Sequence, residues 1–501
     1  MGFPPTAEQS RAIDVFADFY TGASAASSSV AVANSTLYTL HSTQNSVMIL
    51  RGCAGTGKTT LAAAIVRALA ALHQKMVLLA PTGRAAKVFS LYAGQPAFTI
   101  HRRIYRQKSL EGGSTLGFNA AQDTLFVVDE ASMIANGDTP LLDDLIRFVY
   151  NYKNCRLLLI GDQAQLPPVG ETESPALSTA CLRGYDLDVY EATLNEVLRQ
   201  AAESGILYNA TAIRHGAPDA VAAANSSLFT LHSSLPSPSM PSPSDGLPRI
   251  KLCGFEDVHV VPGDELIEAL ATSYSRVGLD DTIVVTRSNK RANIYNEGIR
   301  RTILDREDEL CRGDRLMIVK NNYFWVSSSK NSLLPLGGAG GGLDFLANGD
   351  VAVVQRVRNV HEQHGFRFAE VTMTLPDYDD YELTATVLLD TLTSEAPALT
   401  HEQQQQLFER VMADYADVHG KAERLKRLKE DRYYNALQVK FAYAVTCHKA
   451  QGGQWAHVYV DQGYMTDDML TADYYHWLYT AFTRATEQLF LVNWPKVQLT
   501  E

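Results

Sequence analysis

The stretch Val47-Met-Ile-Leu-Arg-Gly52-Cys-Ala-Gly-Thr-Gly57-Lys58-Thr59-Thr60 decides how the first part of this chain folds. An apolar run of strand length leads into a glycine-rich turn, and the residues from Leu61 onward are good helix formers. Glycines let such a turn wrap with its N–H groups pointing inward, and the helix N-terminus favours phosphate. The stretch therefore predicts a P-loop, a phosphate-binding turn between a strand and a helix.

Two further carboxylates fit this interpretation. In a P-loop, Lys58 reaches the β- and γ-phosphates and the Thr59 hydroxyl binds Mg²⁺. Asp129 and Glu130 directly follow another apolar run, Leu125 to Val128. Asp129 is placed to hold the metal, and Glu130 is placed to orient and deprotonate an attacking water. Together these residues predict hydrolysis of a nucleoside triphosphate, without indicating its purpose.

The rest of the chain alternates short apolar runs with helical stretches, as in βαβ units. We predict an α/β fold with two parallel-sheet domains, the second interrupted by a small β module. The predicted segments are a first domain at 1–205, a Ser- and Pro-rich linker or insertion at 206–250, a second domain at 251–311 and 431–501, and the insert with a helical segment at 312–430. Residues 21–46, 225–248 and 337–342 have the composition of surface insertions.

Composition narrows the class of protein. The chain has 501 residues and a net charge of −12, so a nucleic-acid site must be a local groove rather than a global basic field. No apolar run approaches the roughly 20 residues of a membrane helix, so we expect no membrane partner. The six cysteines are scattered without a Cys-x-x-Cys pair, which predicts neither disulfides nor zinc and makes a reducing cytoplasm the simplest compartment.

Further motifs follow in a fixed order. They are Pro5-Thr6-Ala7-Glu8-Gln9, the P-loop, Ala80-Pro81-Thr82-Gly83-Arg84-Ala85-Ala86-Lys87, Thr99-Ile100-His101-Arg102, Asp129-Glu130-Ala131-Ser132, Gly161-Asp162-Gln163-Ala164-Gln165-Leu166-Pro167-Pro168-Val169, Leu194 to Gln200, Val445-Thr446-Cys447-His448-Lys449-Ala450-Gln451-Gly452 and Tyr479-Thr480-Ala481-Phe482-Thr483-Arg484-Ala485. In order and spacing this series resembles the motifs of superfamily 1 helicases, branch B, of the RecD and phage Dda type. Nine such motifs in order are not plausibly chance.

The resemblance implies roles at the nucleotide. Gln9 would read the adenine of ATP, Gln165 would sense the γ-phosphate, and Arg199 and Arg484 would act as paired arginine fingers on opposite domains. ATP would then bridge the two domains. The remaining implied contacts with the nucleotide come from Gly52, Ala54, Gly55, Thr56, Gly57, Lys58, Thr59, Thr60, Gln451 and Gly452.

The resemblance also implies a single-strand track. Its residues would be Pro81, Thr82, Gly83, Arg84, His101, Arg102, Arg287, Asn289, Thr446 and His448. The segment from Phe98 to Lys108 interleaves aromatic with basic side chains, which suits a single-strand groove; without the resemblance, an ordinary solvated basic loop is equally good. Residues 103–122 resemble the small hairpin that this family uses as a strand-splitting wedge.

Two departures qualify the resemblance. The family commonly has Ser-Glu after the glycine of Gln451-Gly452, whereas this chain has Gly453-Gln454-Trp455, which weakens any ribose contact there. Nothing matches a nuclease metal cluster, so we predict no DNA cleavage.

The resemblance implies that the two parallel-sheet domains are RecA-like motor domains and that the insert in the second is β-barrel-like. It also implies an ATP- and Mg²⁺-dependent helicase that acts as a monomer and moves 5′-to-3′ on single-stranded DNA. An RNA helicase of the same superfamily and a non-unwinding, nucleotide-switched binding protein are the alternatives.

Overall fold

The computed structural model describes residues 4–22, 45–107, 114–137, 140–196, 204–216, 248–328, 345–466 and 469–500. Much of the three predicted surface insertions, and Arg199, lie outside these described residues. The described residues form two compact units. The first comprises those of 4–163 and 167–196, and the second comprises 164–166 and those of 204–328 and 345–500.

The first unit is built on a six-stranded parallel sheet with strand order β3-β2-β6-β7-β1-β8. Its strands are β1 Ser46–Gly52, β2 Lys75–Ala80, β3 Ala97–Thr99, β6 Thr124–Val128, β7 Arg156–Gly161 and β8 Asp188–Leu194, and a separate hairpin pairs β4 Tyr105–Gln107 with β5 Ser114–Leu116. The helices are α1 Ala7–Thr21, α2 Lys58–Ala71, α3 Gly83–Ala93, α4 Ile100–Ile104, α5 Leu141–Tyr150 and α6 Thr179–Arg183, with 3-10 turns at Ala131–Met133 and Pro175–Leu177.

Helices cover both faces of this sheet. Alternate residues of β1 point to opposite faces, so Met48 packs with α1, α2 and α3, while Ile49 packs with α4 and α5. Because both faces are buried, the strands are continuously apolar, which is why their sequences could be recognised as parallel strands.

The second unit contains a five-stranded parallel sheet and a closed barrel. The sheet has the order β10-β19-β18-β11-β17, and the barrel runs β12-β13-β14-β15-β16. The strands are β9 Ile250–Lys251, β10 Val258–Val261, β11 Thr282–Thr286, β12 Arg315–Ile318, β13 Val351–Gln363, β14 Phe366–Leu375, β15 Tyr381–Leu388, β16 Leu437–Phe441, β17 Ala444–Thr446, β18 Trp455–Asp461, β19 Ala485–Val492 and β20 Leu499–Thr500. The predicted fold class, two parallel-sheet domains with a barrel insert in the second, is confirmed.

Helices of the second unit lie between these strands along the chain. They are α7 Gly205–Gly216, α8 Leu266–Arg276, α9 Asn289–Gly298, α10 Phe324–Ser328, α11 His401–Asp414, α12 Lys421–Lys429, α13 Cys447–Ala450 and α14 Ala472–Phe482. A π-helical turn, Ile299–Ile303, continues α9, and 3-10 turns occur at Pro376–Tyr378, Leu389–Thr391 and Lys496–Gln498. None of the helices in the described ranges combines the length and the apolar character needed to cross a membrane.

The structure moves two of the predicted boundaries. Strand β16 closes the barrel by pairing with β12 and β15, although the sequence placed everything from residue 431 in the second sheet domain. The apolar run 441–445 is split between β16 and β17 because the Asn296 side chain binds the intervening backbone. Its Oδ1 accepts from Tyr443 N and Ala444 N, and its Nδ2 donates to Ala444 O. The helical segment predicted within 312–430 is two helices, α11 and α12, with Gly420 at φ +93° before the second helix.

Candidate nucleotide site and nucleic-acid face

The turn between β1 and α2 has the backbone conformation that phosphate binding requires. Gly55 and Gly57 have φ of +79° and +78°, values that side chains with a Cβ rarely adopt. At Gly52, a Cβ would lie 2.8 Å from both Lys58 Cγ and Thr56 Oγ1. The glycine spacing read from the sequence is therefore set by φ at two positions and by close packing at the third.

The Lys58 side chain folds back over this turn. Its Nζ donates to the carbonyl oxygen of Cys53 at 2.8 Å and lies 3.7 Å from Asp162 Oδ2, at the end of β7. The Thr56 hydroxyl donates to the same Cys53 carbonyl at 2.8 Å. These contacts hold the ammonium group at the mouth of the turn, where it can meet phosphate oxygens.

Thr59 and Asp129, the two residues predicted to hold Mg²⁺, are brought together. The Asp129 carboxylate is hydrogen-bonded by the Thr59 side chain, and its buried position, together with the nearby Glu130 carboxylate, raises its pKa to about 7. A hydroxyl beside a buried carboxylate that lacks a full counter-charge is a donor set suited to Mg²⁺. The residues present therefore fit the metal that the P-loop implies.

Glu130 is turned away from its neighbour by the backbone. It has φ +54°, and its N–H donates to Asp129 Oδ1 at 2.9 Å. A non-glycine residue in the left-handed region is uncommon, and such strain is concentrated at functional sites. This left-handed turn separates Glu130 from the buried Asp129 carboxylate that its own N–H contacts.

Gln9 reaches the phosphate-binding turn from α1. A capping box joins Thr6 and Gln9, which sets the first turn of the helix. The buried Gln9 side chain then donates from Nε2 to the Thr56 carbonyl oxygen at 3.2 Å. Ala54 is half-buried in the turn, and Thr60 is exposed on the first turn of α2.

The Glu8 carboxylate makes a contact that was not predicted from the sequence. Its Oε2 accepts from the backbone N–H groups of Asn195 at 2.6 Å and Glu196 at 2.8 Å, just beyond β8. The partners are 187 residues away in the chain, so no local pattern signals the pairing. Glu8 thereby ties the first turn of α1, which carries Gln9, to the end of the edge strand.

Gln165 belongs to the short segment Ala164–Leu166 of the second unit. Three side chains of this unit form hydrogen bonds with the backbone of the segment. His476 Nδ1 bonds to the Ala164 carbonyl oxygen at 2.9 Å, and Gln451 Nε2 donates to the Leu166 carbonyl oxygen at 2.7 Å. The Thr480 hydroxyl accepts from the Leu166 N–H at 2.8 Å. Gln165 itself is buried, and its Oε1 has no hydrogen-bond partner among the described residues. A buried amide oxygen without a donor is costly, which is compatible with the ligand-facing role predicted for Gln165.

Arg484 is held within its own unit. Its guanidinium is 3% exposed and donates to Thr480 O at 3.0 Å, Gly453 O at 3.1 Å and Thr483 Oγ1 at 3.2 Å. In this conformation each of its nitrogen atoms is bonded to a neighbour in the second unit. The other predicted finger, Arg199, lies outside the described residues.

The predicted track residues of the first unit follow two neighbouring strands. After β2, Pro81 leads to Thr82, whose hydroxyl caps α3 by accepting from Ala85 N at 3.2 Å, so that Gly83 and Arg84 form its first turn. Carboxyl ends of parallel strands share one edge of a sheet, so this segment lies beside the end of β3.

The segment after β3 carries the basic and aromatic side chains. Thr99 caps α4, which holds His101 and Arg102. The Arg102 guanidinium lies 5.2 Å from the Phe98 ring centroid, and the His101 ring lies 5.5 Å from that of Tyr105. Burial lowers the pKa of His101, so the neutral imidazole is favoured at neutral pH.

The second unit repeats this arrangement. Arg287 and Asn289 follow β11. Thr446 is the last residue of its neighbour β17 and His448 follows it, so both pairs lie at the carboxyl edge of the sheet. Thr446 immediately precedes the short helix α13, and Gly452 turns the chain afterwards with φ +71°. The predicted track residues of each unit are thus gathered at one sheet edge.

Two segments of the chain match known protein families. Residues 34–230 match the AAA domain family model, and residues 441–492 match the UvrD-like helicase C-terminal domain. The ATP-dependent RecD2 DNA helicase of Deinococcus radiodurans is 33% identical over 176 residues, which are 34% of this chain and 22% of that protein. The ATP-dependent DNA helicase dda of Enterobacteria phage T4 is 32% identical over 176 residues, which are 33% of this chain and 37% of that protein.

The alignments therefore span only about a fifth to two fifths of these two relatives. Among solved structures, the Pif1 helicase from Candida albicans aligns with 99% of this chain and 96% of its own at 15% identity and a TM-score of 0.43. Two segments of the chain therefore match the AAA domain and UvrD-like helicase C-terminal domain models, and the predicted similarity to RecD- and Dda-type helicases is confirmed.

Proposed function

We propose that the protein is an ATP- and Mg²⁺-dependent helicase that moves along single-stranded DNA as a monomer, in the 5′-to-3′ direction. The observation that carries the proposal is the shared sheet edge of the first unit. Lys58, the Thr59–Asp129 pair and Glu130 follow β1 and β6, while the segments at Thr82 and His101 follow β2 and β3 along the same edge. A hydrolytic site and a basic, aromatic surface on one edge are the parts of a nucleic-acid-dependent ATPase.

The chain's own residues account for the chemistry of hydrolysis. The N–H groups of the turn and the start of α2 bind phosphate oxygens, and the Lys58 ammonium exchanges its Cys53 carbonyl partner for the β- and γ-phosphates. Thr59 and Asp129 would hold Mg²⁺, which would supply positive charge to neutralise the phosphates. Glu130 accepts the proton of the attacking water. Gln9 recognises the adenine base of ATP.

The names of the relatives support DNA as the track. The Deinococcus and phage T4 proteins are both named as DNA helicases, and a 2′-hydroxyl-reading site for RNA would need donors and acceptors that the residues alone do not specify. We therefore place single-stranded DNA first and RNA second.

The ATPase rate with and without a nucleic acid tests the proposal. We expect single-stranded DNA to stimulate hydrolysis strongly and RNA of the same sequence to stimulate it weakly. Duplexes with a 5′ or a 3′ single-stranded tail then test direction, and only the 5′-tailed duplex should be unwound. Stimulation by RNA alone would replace the DNA assignment with the RNA one. Stimulation by neither would overturn the motor and favour a nucleotide-switched binding protein.

A further inference from the structure

A cationic side chain lies on two aromatic rings of the second unit. The Arg287 guanidinium carbon is 5.9 Å from the ring centroid of Tyr474 and 5.9 Å from that of Trp477, both on α14. The two rings are buried, whereas Arg287 is exposed. An arginine supported in this way is held in place by cation–π attraction and keeps a face for a further planar group.

The loop after β18 completes this patch. Met465 and Met469 present their sulfur atoms to the Arg287 guanidinium. Tyr464, next to Met465, is 84% exposed, the highest exposure among the large hydrophobic side chains of the described residues. We name the set Arg287, Tyr464, Met465, Met469, Tyr474 and Trp477 the Arg287 cluster. A solvated tyrosine beside polarizable sulfurs and a fixed cation is a surface suited to a flat, aromatic partner.

Two buried polar atoms here also favour a ligand. The indole Nε1 of Trp477 and the hydroxyl of Thr466 have no hydrogen-bond partner among the described residues. A buried donor without an acceptor costs free energy that a ligand acceptor would recover. Base carbonyl and ring nitrogen atoms are acceptors of this kind.

The cluster adjoins the predicted track of the second unit. Cys447 lies between Thr446 and His448 in the chain and is the first residue of α13. Its thiol contacts the Trp477 carbonyl oxygen at 3.5 Å, so α14 lies against the start of α13. Burial lowers the pKa of His448, and the Asp473 carboxylate, also on α14, is close enough to oppose part of that shift. A strand on Thr446 and His448 therefore passes within reach of the Arg287 cluster.

We propose that the Arg287 cluster is a nucleobase-stacking site, at which bases of the single strand stack on Tyr464 and on the supported guanidinium of Arg287. The inference rests on the proposed function, since it presumes that the protein binds a single strand. It assigns this surface to the bases, whereas phosphates are bound elsewhere on the track. Every base has a π face, so the site tolerates any sequence.

Equilibrium binding of two labelled oligonucleotides of equal length tests the proposal: one of thymidylates, and one with abasic residues and the same number of phosphates. The unsubstituted protein should bind the base-bearing strand more tightly. Tyr464→Ala should weaken that binding by about 5- to 100-fold, the range for one lost base–aromatic stack, and leave the abasic affinity unchanged. Tyr464→Phe keeps the ring and should retain the affinity.

Arg287→Lys tests the planar shape of the guanidinium separately from its positive charge. Lysine preserves the positive charge but cannot stack, so binding of the base-bearing strand should weaken while the dependence of affinity on salt keeps its slope. Tyr92→Ala, at another exposed tyrosine of the described residues, is the matched control and should change neither affinity. Thermal midpoints near that of the unsubstituted protein would show that the variants fold.

Each other outcome counts against the inference. Equal loss for both oligonucleotides would mean that the cluster contacts phosphate or sugar, and no loss would mean that it contacts neither. If the unsubstituted protein binds both oligonucleotides equally, the stacking proposal is wrong, whereas the proposal that the protein binds a single strand is not contradicted. If it binds neither, the proposed function itself fails, and the inference fails with it.

Discussion

Gln9 Nε2 donates to the Thr56 carbonyl oxygen at 3.2 Å, which joins the first helix of the chain to the phosphate-binding turn 47 residues later. Because Thr6 and Gln9 also form the capping box, one glutamine both starts α1 and contacts the turn. The position of α1 and the shape of the turn are therefore linked by a single side chain.

Gln9→Ala should raise the KM for ATP about threefold to tenfold and reduce the preference for ATP over other nucleoside triphosphates. The expected loss is that of one buried amide hydrogen bond, together with the proposed base contact. Steady-state kinetics with ATP and GTP would measure it. Ser10→Ala, at the exposed next position of the same helix, is the control. An unchanged ratio of ATP to GTP use would remove Gln9 from base recognition.

Lys58→Ala should lower kcat for ATP hydrolysis by at least about 100-fold, because it removes the ammonium group that is held at the mouth of the turn. The fold should survive, since the ammonium contributes one hydrogen bond and a 3.7 Å contact. Lys75→Ala, at the exposed start of β2, should retain full activity. Normal hydrolysis by the Lys58 variant would contradict the P-loop assignment.

Glu130→Gln should bind ATP normally and hydrolyse it about 100- to 10,000-fold more slowly, because glutamine keeps the shape of the side chain but accepts no proton. Binding of a fluorescent nucleotide and single-turnover hydrolysis would separate the two effects. Asp129→Asn is the informative companion, since it should instead weaken the effect of Mg²⁺ on nucleotide binding. Loss of binding in the Glu130 variant would show that this residue is a ligand and not the base.

The hairpin of β4 and β5 can be shortened without removing the two residues that attach it to the rest of the first unit. Tyr105 OH donates to Asp144 at 2.7 Å, and Leu116 packs against the core of the first unit. Replacing residues 107–114 with two glycines keeps both residues and still closes a hairpin between Arg106 and Thr115. DNA-stimulated hydrolysis should persist while duplex unwinding falls. Unwinding at the original rate would refute the wedge assignment.

The barrel should lose stability as pH rises through a defined window. Burial raises the pKa of Asp350 to about 7, even though Ala347 N–H and Tyr378 OH donate to its carboxylate. An unfolded aspartate ionises near pH 4, so between about pH 4 and 7 the folded protein binds the extra proton. Stability therefore falls by up to about 1.4 kcal/mol per pH unit in this window and levels off above it.

Asp350→Asn should remove that dependence. The difference in thermal midpoint between the variant and the unsubstituted protein should shift in favour of the variant as pH rises from 4.5 to 7.5. Asp380→Asn, in the exposed turn before β15, should show no such trend. Parallel curves for Asp350→Asn and the unsubstituted protein would mean that Asp350 titrates as an ordinary carboxylate.

The sequence by itself determined every feature that depends on neighbouring residues. The glycine spacing from Gly52 to Gly57 predicted the turn because φ is a local property, and continuous apolar runs predicted parallel strands because both sheet faces are buried. The association of Thr59 with Asp129 also followed, since parallel strands present their carboxyl ends at one edge.

Only the tertiary structure decided what depends on distant partners. It assigned β16 to the barrel, because pairing with β12 and β15 leaves no mark on the apolar pattern of one strand. It joined Glu8 to Asn195 and laid Arg287 on Tyr474 and Trp477. These contacts depend on how the chain packs in three dimensions, and a one-dimensional pattern of residues carries only the spacings along the chain.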